Sequence, residues 1–321
     1  MAHVEGMSCL EQMIKRHFHH AKIGEEVRKQ LKGCHECALY KRGGKTYGEA
    51  AHRDASVLPW QEVHCDSIGP WTIELRAKTL TFQAMTMIDP ATNLVEIAPL
   101  KSKTALAGAA SVENTWLARY PRPVRIVSDQ GPEFATEFTD MCNRLGIEHN
   151  NSTSRNPRGN AMVERCHQAV GQVLRLVVAS KNPKSTHEGE AVMQECYATV
   201  MHACRCATQS TIGNLSPGAI AFGRDMFLDI PIIADILTLQ KHRQGLVDKH
   251  LLRANAQRIP HDYKVGDLVY KKNHLGFSDK LKPTHSGPFR IAPVHTNGTV
   301  TLQYSPMSFE RINIRRIRPK F

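Results

Sequence analysis

Three acidic residues lie where carboxylates could form a reaction centre. Asp66 lies within a short strand predicted over residues 62–68, Asp129 ends a second apolar strand, and Glu164 opens a predicted helix. A carboxylate within a strand is costly to bury unless it is paired or bound to a metal. The ends of strands in an open α/β sheet are favoured ligand sites, so Asp66 and Asp129 would converge if their strands are neighbours.

Such a cluster predicts metal-dependent phosphoryl transfer. Hard oxygen ligands on a partly open site suit Mg²⁺ or Mn²⁺. Two such ions about 3.5–4 Å apart would activate the attacking oxygen and stabilise the leaving one. On spacing alone, ordinary explanations stay open, because Asp129 also suits a turn and Glu164 suits the first turn of a helix. Asp66 is the hardest of the three to explain without a ligand.

The elements around these residues predict an α/β layer fold with a mixed sheet. Three strands come first, with Gly69-Pro70 expected to end the first of them. A helix over residues 103–120 then alternates with further strands and helices. The two ends of the chain differ from this α/β part. Residues 1–50 have apolar positions at helical spacing, and short strands after Tyr263 suggest a small β-barrel.

Turn signals divide the last part of the chain. Gly287-Pro288, Asn297-Gly298 and Ser305-Pro306 are expected to mark turns, and Asn297-Gly298 is a strong hairpin signal. A basic helix is predicted before them, over residues 236–256.

Positive charge is concentrated in that same part. The net charge is +12, and residues 237–321 hold sixteen Lys/Arg against five Asp/Glu. A basic segment on a near-neutral body predicts binding to nucleic acid, with a solubilising tail as the alternative. No long apolar run or signal peptide is present in the sequence. We therefore expect no membrane association, and cytosolic or nuclear residence.

Several motifs follow one another in order: Trp60–Pro70, Val127–Phe134, Asn156–Arg165, Ser216–Arg224, Gly287–Phe289, Asn297–Leu302 and Asn313–Ile317. Together they resemble the integrases of gypsy-type LTR retrotransposons and, more distantly, those of retroviruses. The resemblance covers nearly the whole chain. One departure is that 34 residues separate Asp129 from Glu164, one fewer than in the usual pattern.

The resemblance implies three domains: a helical zinc domain over residues 1–50, an RNase H-like catalytic core over 51–235, and a basic helix with an SH3-like DNA-binding barrel over 236–321. It implies that Asp66, Asp129 and Glu164 bind Mg²⁺ or Mn²⁺. The implied reactions are 3′-end processing and strand transfer on double-stranded element and target DNA. A homo-oligomer, tetrameric or larger, cut from a polyprotein and acting in the nucleus, is also implied.

The cysteine usage points to one further metal site. Of nine cysteines, only Cys34 and Cys37 have metal-ligand spacing. The family's zinc domain uses two histidines and two cysteines. His3 fits the first histidine position, but Met7 occupies the second, and a thioether is a poor Zn²⁺ ligand. Three alternatives stay open: Cys9 substitutes, one of His17, His19 and His20 serves, or the site is lost.

Basic residues are the candidate DNA contacts, because Lys and Arg neutralise phosphates. One set flanks Glu164 and the other lies in the basic last part of the chain. The candidates are Arg155, Arg158, Arg165, Lys271, Lys272, Lys280, Lys282, Arg311, Arg315, Arg316 and Arg318. Each of these residues could also be an ordinary surface charge.

Two other functions compete with an integrase. A cut-and-paste transposase could use the same three acids. A catalytically silent DNA-binding protein descended from an integrase is the third hypothesis, and the Met7 substitution makes it conceivable. The intact acidic residues argue against the silent protein.

Overall fold

The computed structural model describes residues 7–40, 46–52, 57–75, 78–151, 161–273, 282–296 and 298–320. The chain forms two compact units. One comprises Met1–Arg53 together with Asp248–Phe321, and the other comprises Asp54–Val247. The three domain boundaries expected from the sequence stay a prediction.

The unit Asp54–Val247 is built on a five-stranded mixed sheet of order β3-β2-β1-β4-β5. Its strands are β1 (Glu62–Glu74), β2 (Thr79–Ile88), β3 (Val95–Pro99), β4 (Arg125–Ser128) and β5 (Glu148–Asn151). The first three are antiparallel, whereas β4 is parallel to β1, and β5 is parallel to β4 and outermost. The mixed sheet expected from the sequence is confirmed.

Helices cover both faces of this sheet. They are α4 (Ala105–Val112) and α5 (Thr136–Arg144) on one face, and α6 (Ala161–Lys181) and α7 (Thr186–Cys206) on the other. They are followed by α8 (Pro217–Phe222) and α9 (Ile236–Asn255), and α9 contains residues of both units. The helix predicted over residues 103–120 is shorter: α4 begins after the capping hydroxyl of Thr104 and is continued by a π-helical turn, Glu113–Leu117.

Alternation along β1 divides the core into two layers. Val63 and Cys65 are buried with α4 and α5, whereas Ile68 and Ile73 are buried with α6 and α7. Successive side chains of a strand point to opposite faces. The face on which each polar residue of β1 lies is therefore fixed by its apolar neighbours.

Both Gly-Pro pairs lie inside strands, which corrects the sequence analysis. Gly69-Pro70 was expected to end β1, but the strand continues to Glu74 with a register shift between Ile68 and Trp71. Gly69 has a φ of 108° and its position is closely approached by the backbone of β2, so glycine accommodates a bulge rather than a strand end. Gly287-Pro288 likewise lies within a strand, with Gly287 at a φ of 122°.

The other unit combines short helices with an antiparallel sheet. The helices are α1 (Met7–Lys15), α2 (Ile23–Gly33) and α3 (His35–Tyr40); the strands are β6 (Leu268–Lys272), β7 (His285–His295), β8 (Thr299–Ser305), β9 (Ser308–Asn313) and β10 (Ile317–Pro319). The sheet order is β10-β6-β7-β8-β9. Two contacts join α3 to the sheet: His35 Nδ1 lies 2.8 Å from the Tyr270 hydroxyl, and Thr284 donates to the Leu39 carbonyl. No described helix is long and apolar enough to cross a membrane.

A glycine in α4 allows this helix to approach the turn after β4. A Cβ at Gly108 would collide with the main-chain carbonyl oxygen of Glu133. We expect Gly108→Ala to lower the free energy of unfolding by about 1–3 kcal/mol, because backbone rather than a flexible side chain must move. Chemical denaturation measures the change.

Gly171 provides the matched control for this substitution. It is a glycine in the interior of α6 with no atom near the added Cβ. Gly171→Ala is expected to leave stability unchanged or raise it by up to about 1 kcal/mol. Equal effects of the two substitutions would contradict the close approach at Gly108.

Candidate active site

Asp66 and Asp129 both follow the paired segment of β1 and β4. The parallel register pairs Glu62 with Arg125 and His64 with Val127. Each acid lies two residues after the last of these pairs, in the same chain direction. Cys65 and Ile126 are buried with α4 and α5, so by alternation both acids lie on the opposite face of the sheet.

Helix α6 lies on that same face and carries Glu164. Thr86, the cross-strand partner of Asp66, donates its hydroxyl hydrogen to the Asp66 carbonyl at 3.0 Å. Its oxygen lies 3.0 Å from His167 Nε2. A hydroxyl has one hydrogen, so the imidazole Nε2–H is the donor in this second contact. Glu164 is one turn before His167 on α6, but its side chain lies outside the described residues.

The turn after β4 holds the Asp129 carboxylate. Asp129 Oδ1 accepts the amide hydrogen of Gly131 at 2.9 Å. The Ser128 hydroxyl, which is buried, lies 3.0 Å from the Asp129 carbonyl oxygen and 2.8 Å from His149 Nε2. Burial lowers the pKa of His149, which favours the neutral ring in this network.

The half of the sheet formed by β4 and β5 is polar on the face of the two acids. Arg125 contacts Glu62 and Glu148, both at 3.1 Å, and His64 Nε2 lies 2.7 Å from Glu62 Oε1. The hydrogen bond to His64, together with the charges of His64 and then Arg125, lowers the pKa of Glu62. Apolar residues of β1, β2 and β3 occupy the part covered by α6 and α7. The acids therefore lie where an apolar layer gives way to an ionic surface.

The described side chains contain no group of three His, Cys, Asp or Glu residues arranged to hold a metal ion. What they offer is the carboxylates of Asp66, within β1, and of Asp129, which directly follows β4. Mg²⁺ is commonly held by one or two carboxylates, with water and substrate phosphates completing its coordination. The donor set fits such an ion.

No family model matches the chain. It is 22% identical over 313 residues to the retrovirus-related Pol polyprotein from transposon 412 of Drosophila melanogaster, covering 90% of this chain and 24% of that polyprotein. It is 22% identical over 312 residues to the Gag-Pol polyprotein of koala retrovirus, covering 91% of this chain and 17% of that one. The chain thus spans a quarter or less of the length of these relatives.

A solved structure covers both units. The chain matches one from the cryo-EM structure of the simian T-cell lymphotropic virus intasome in complex with PP2A regulatory subunit B56 gamma. The TM-score is 0.61 at 16% identity, over 98% of each chain. The chain has an integrase-like fold. Its relatives are the Pol polyproteins of retroviruses and retrotransposons.

Within this integrase-like fold, the two cysteines with metal-ligand spacing lie at the start of α3. The Cys37 amide donates to Cys34 Sγ at 3.5 Å. None of His17, His19 and His20 joins these thiols in a metal-binding group of described side chains. His3 and the side chain of Cys9 lie outside the described residues, so their part in a zinc site stays a prediction.

The basic residues expected to contact DNA occupy different environments. Lys271 is paired with Glu310 at 2.5 Å and contacts the Tyr304 hydroxyl. The guanidinium of Arg318 lies over the Tyr270 ring, 5.5 Å from its centroid, and burial lowers its pKa. Lys272 and Arg311 are exposed, whereas Arg315 and Arg316 are partly exposed. Residues outside the described side chains are Arg155, Arg158, Arg165 and Lys280.

Four neighbours of the site were not predicted from the sequence: Thr86, Ser128, His149 and His167. His167 had a usable signal, because it follows Glu164 by three residues on a helix and so shares a face with it. The contact between Thr86 and His167 joins residues far apart in sequence, and no local pattern indicates it.

His167 makes stability depend on pH. Burial lowers the pKa of His167 to about 4. Between pH 6.5 and pH 4, the imidazole is therefore protonated in the unfolded chain but not in the folded chain. Stability from this residue is present above pH 6.5 and is lost as the pH falls to 4. We expect about 2 kcal/mol of loss between pH 7 and pH 5. His167→Gln should reduce that loss, as measured by urea unfolding at both pH values; the same loss in the variant would contradict the assignment.

Proposed function

We propose that the chain is a retroelement integrase that processes the 3′ ends of element DNA and joins them to target DNA. The observation that supports this proposal is that Asp66 and Asp129 each lie two residues beyond His64 and Val127, the last residue pair of the parallel strands β1 and β4. Paired carboxylates at the edge of a polar surface suit phosphodiester chemistry on a large polyanion. The integrase-like fold and the related Pol polyproteins support the same function.

In this proposal Asp66, Asp129 and Glu164 hold divalent cations, Mg²⁺ or Mn²⁺. When bound, such ions lower the pKa of an attacking water or hydroxyl and neutralise charge on the phosphate. The protein's contribution is positioning. The central strand fixes Asp66, the Gly131 amide orients Asp129 Oδ1, and His167 donates to Thr86, whose hydroxyl is bound to the Asp66 carbonyl. The neutral state of His167 adds no positive charge beside the cation site.

Double-stranded DNA is the proposed partner. We propose that the antiparallel sheet is an SH3-like DNA-binding barrel. Lys272 and Arg311 are exposed on its strands, and Arg315 and Arg316 are partly exposed in the turn between β9 and β10. Contacts to phosphates give affinity with little sequence preference and strong salt dependence. A homo-oligomer assembled on two DNA ends, tetrameric or larger, and action in the nucleus are further parts of the proposal.

Replacing the two described acids tests the proposal. Asp66→Asn and Asp129→Asn are each expected to reduce strand transfer by about a hundredfold or more in Mg²⁺, because a neutral amide binds the cation poorly. A strand-transfer assay with element-end oligonucleotides measures the product. It also separates the alternatives: a transposase would excise the element, whereas a silent descendant would bind DNA without forming product.

Asp140→Asn is the matched control, since Asp140 is an exposed acid of α5 and the charge change is the same. It should retain wild-type activity and DNA binding. Activity of Asp66→Asn at the level of this control would rule out the proposed site.

We also propose that Cys34 and Cys37 bind Zn²⁺, with His3 and Cys9 as the remaining ligands. Two thiolates at this spacing suit tetrahedral zinc. The purified protein should contain about one zinc ion per chain, and Cys34→Ser should lose it. Cys206→Ser, a thiol substitution in α7, is the control and should leave the zinc content unchanged. Equal zinc content in all three proteins would exclude the site.

A further inference from the structure

Glu133 is a buried acid beside the candidate active site. It lies in the 3-10 turn Pro132–Phe134 that follows Asp129, and it is only 2% exposed. Its Oε2 atom is buried and receives no hydrogen bond from any described residue. Most buried polar atoms have a partner, so this oxygen requires an explanation.

The carboxylate of Glu133 shares a small space with that of Asp129. A Cβ placed on Gly131 would lie 2.7 Å from Glu133 Oε2 and 3.0 Å from Asp129 Oδ1. Gly131 has a φ of −67° and a ψ of 154°, which any residue can adopt. The absence of a side chain at Gly131 therefore allows the Glu133 carboxylate to lie close to the main chain of this turn, near Asp129 Oδ1.

The main chain of the turn that carries Glu133 is closely packed. Helix α4 packs against it with so little space that a Cβ at Gly108 would meet the Glu133 carbonyl. Phe134 is buried in the same core as α4 and α5. The main chain of this turn is therefore fixed by its packing against α4 and the core.

A desolvated carboxylate is stabilised by a cation or by a proton. No described Lys or Arg is hydrogen-bonded or ion-paired to Glu133. Carboxylate oxygens that face the same small space are the donors that Mg²⁺ and Mn²⁺ prefer. A divalent cation would satisfy both Asp129 and the unpartnered oxygen of Glu133.

We infer that Glu133 is a further metal-binding carboxylate, which holds a divalent cation together with Asp129. This inference rests on the proposed function, to which it adds an acid outside the set Asp66, Asp129 and Glu164. Glu133 strengthens binding of the cation on the Asp129 side. It also explains why a charged residue occupies a core position next to Phe134.

Mn²⁺ binding to the full chain tests the inference without relying on activity. Free Mn²⁺ is followed by its electron paramagnetic resonance signal, and thermal unfolding is recorded over the same titration. For Glu133→Gln we expect the Mn²⁺ dissociation constant to rise about 10–100-fold. Its melting temperature without metal should equal or exceed that of the wild type, because an unpartnered buried charge is removed. The Mg²⁺ concentration that half-saturates strand transfer should rise with the dissociation constant.

Two further variants sharpen the test. Gly131→Ala leaves every charge in place but puts a methyl group against both carboxylates, and it should also weaken Mn²⁺ binding. Asp140→Asn removes an exposed acid and should leave Mn²⁺ binding unchanged. Wild-type Mn²⁺ affinity in Glu133→Gln would overturn the inference, as would the absence of any Mn²⁺ effect on the wild type. If Glu133→Gln fails to fold, unchanged affinity in Gly131→Ala overturns it.

Failure of this inference is distinguishable from failure of the proposed function. If Glu133→Gln retains strand transfer and binds Mn²⁺ as tightly as the wild type, only the metal-binding role of Glu133 is excluded. If Mn²⁺ binding depends on Glu133 but the protein forms no strand-transfer product, the metal site is supported and the integrase function is excluded.

Discussion

The parallel pairing of β1 with β4 is the constraint on which the candidate active site depends. Val63, Cys65 and Ile126 must be buried against α4 and α5, and this burial fixes the register. A shift of one strand by a single residue would expose its apolar side chains and turn its acid into the core. The hydrophobic effect at alternate positions therefore fixes the strands from which Asp66 and Asp129 project.

Small residues in α4 extend that constraint to the turn after β4. Ala105, Gly108 and Ala109 are buried on the side of α4 that faces the core, and they allow the helix backbone to lie close to the turn. This close packing of α4 against the turn limits the positions that Asp129 and Glu133 can adopt.

The sequence predicted the mixed sheet and the strands that carry Asp66 and Asp129, because both depend on local alternation and turn chemistry. It did not predict the bulges at Gly69 and Gly287, since a Gly-Pro pair suits a turn as well as a bulge and only cross-strand pairing decides between them. The burial of Glu133 could not be predicted from the sequence either, because it depends on how closely Gly108 of α4 approaches the turn. Periodicity describes a residue's own segment, whereas burial of this acid depends on a distant helix.

The outer position of β5 has a consequence for the behaviour of the protein in solution. An outer strand presents backbone groups that can pair with a strand of another molecule. The residues of β5 are Glu148, His149, Asn150 and Asn151, with no β-branched or aliphatic side chain among them. Such a strand is a poor template for intermolecular sheet growth. Its composition thus protects the chain from aggregation beside a surface that must stay open.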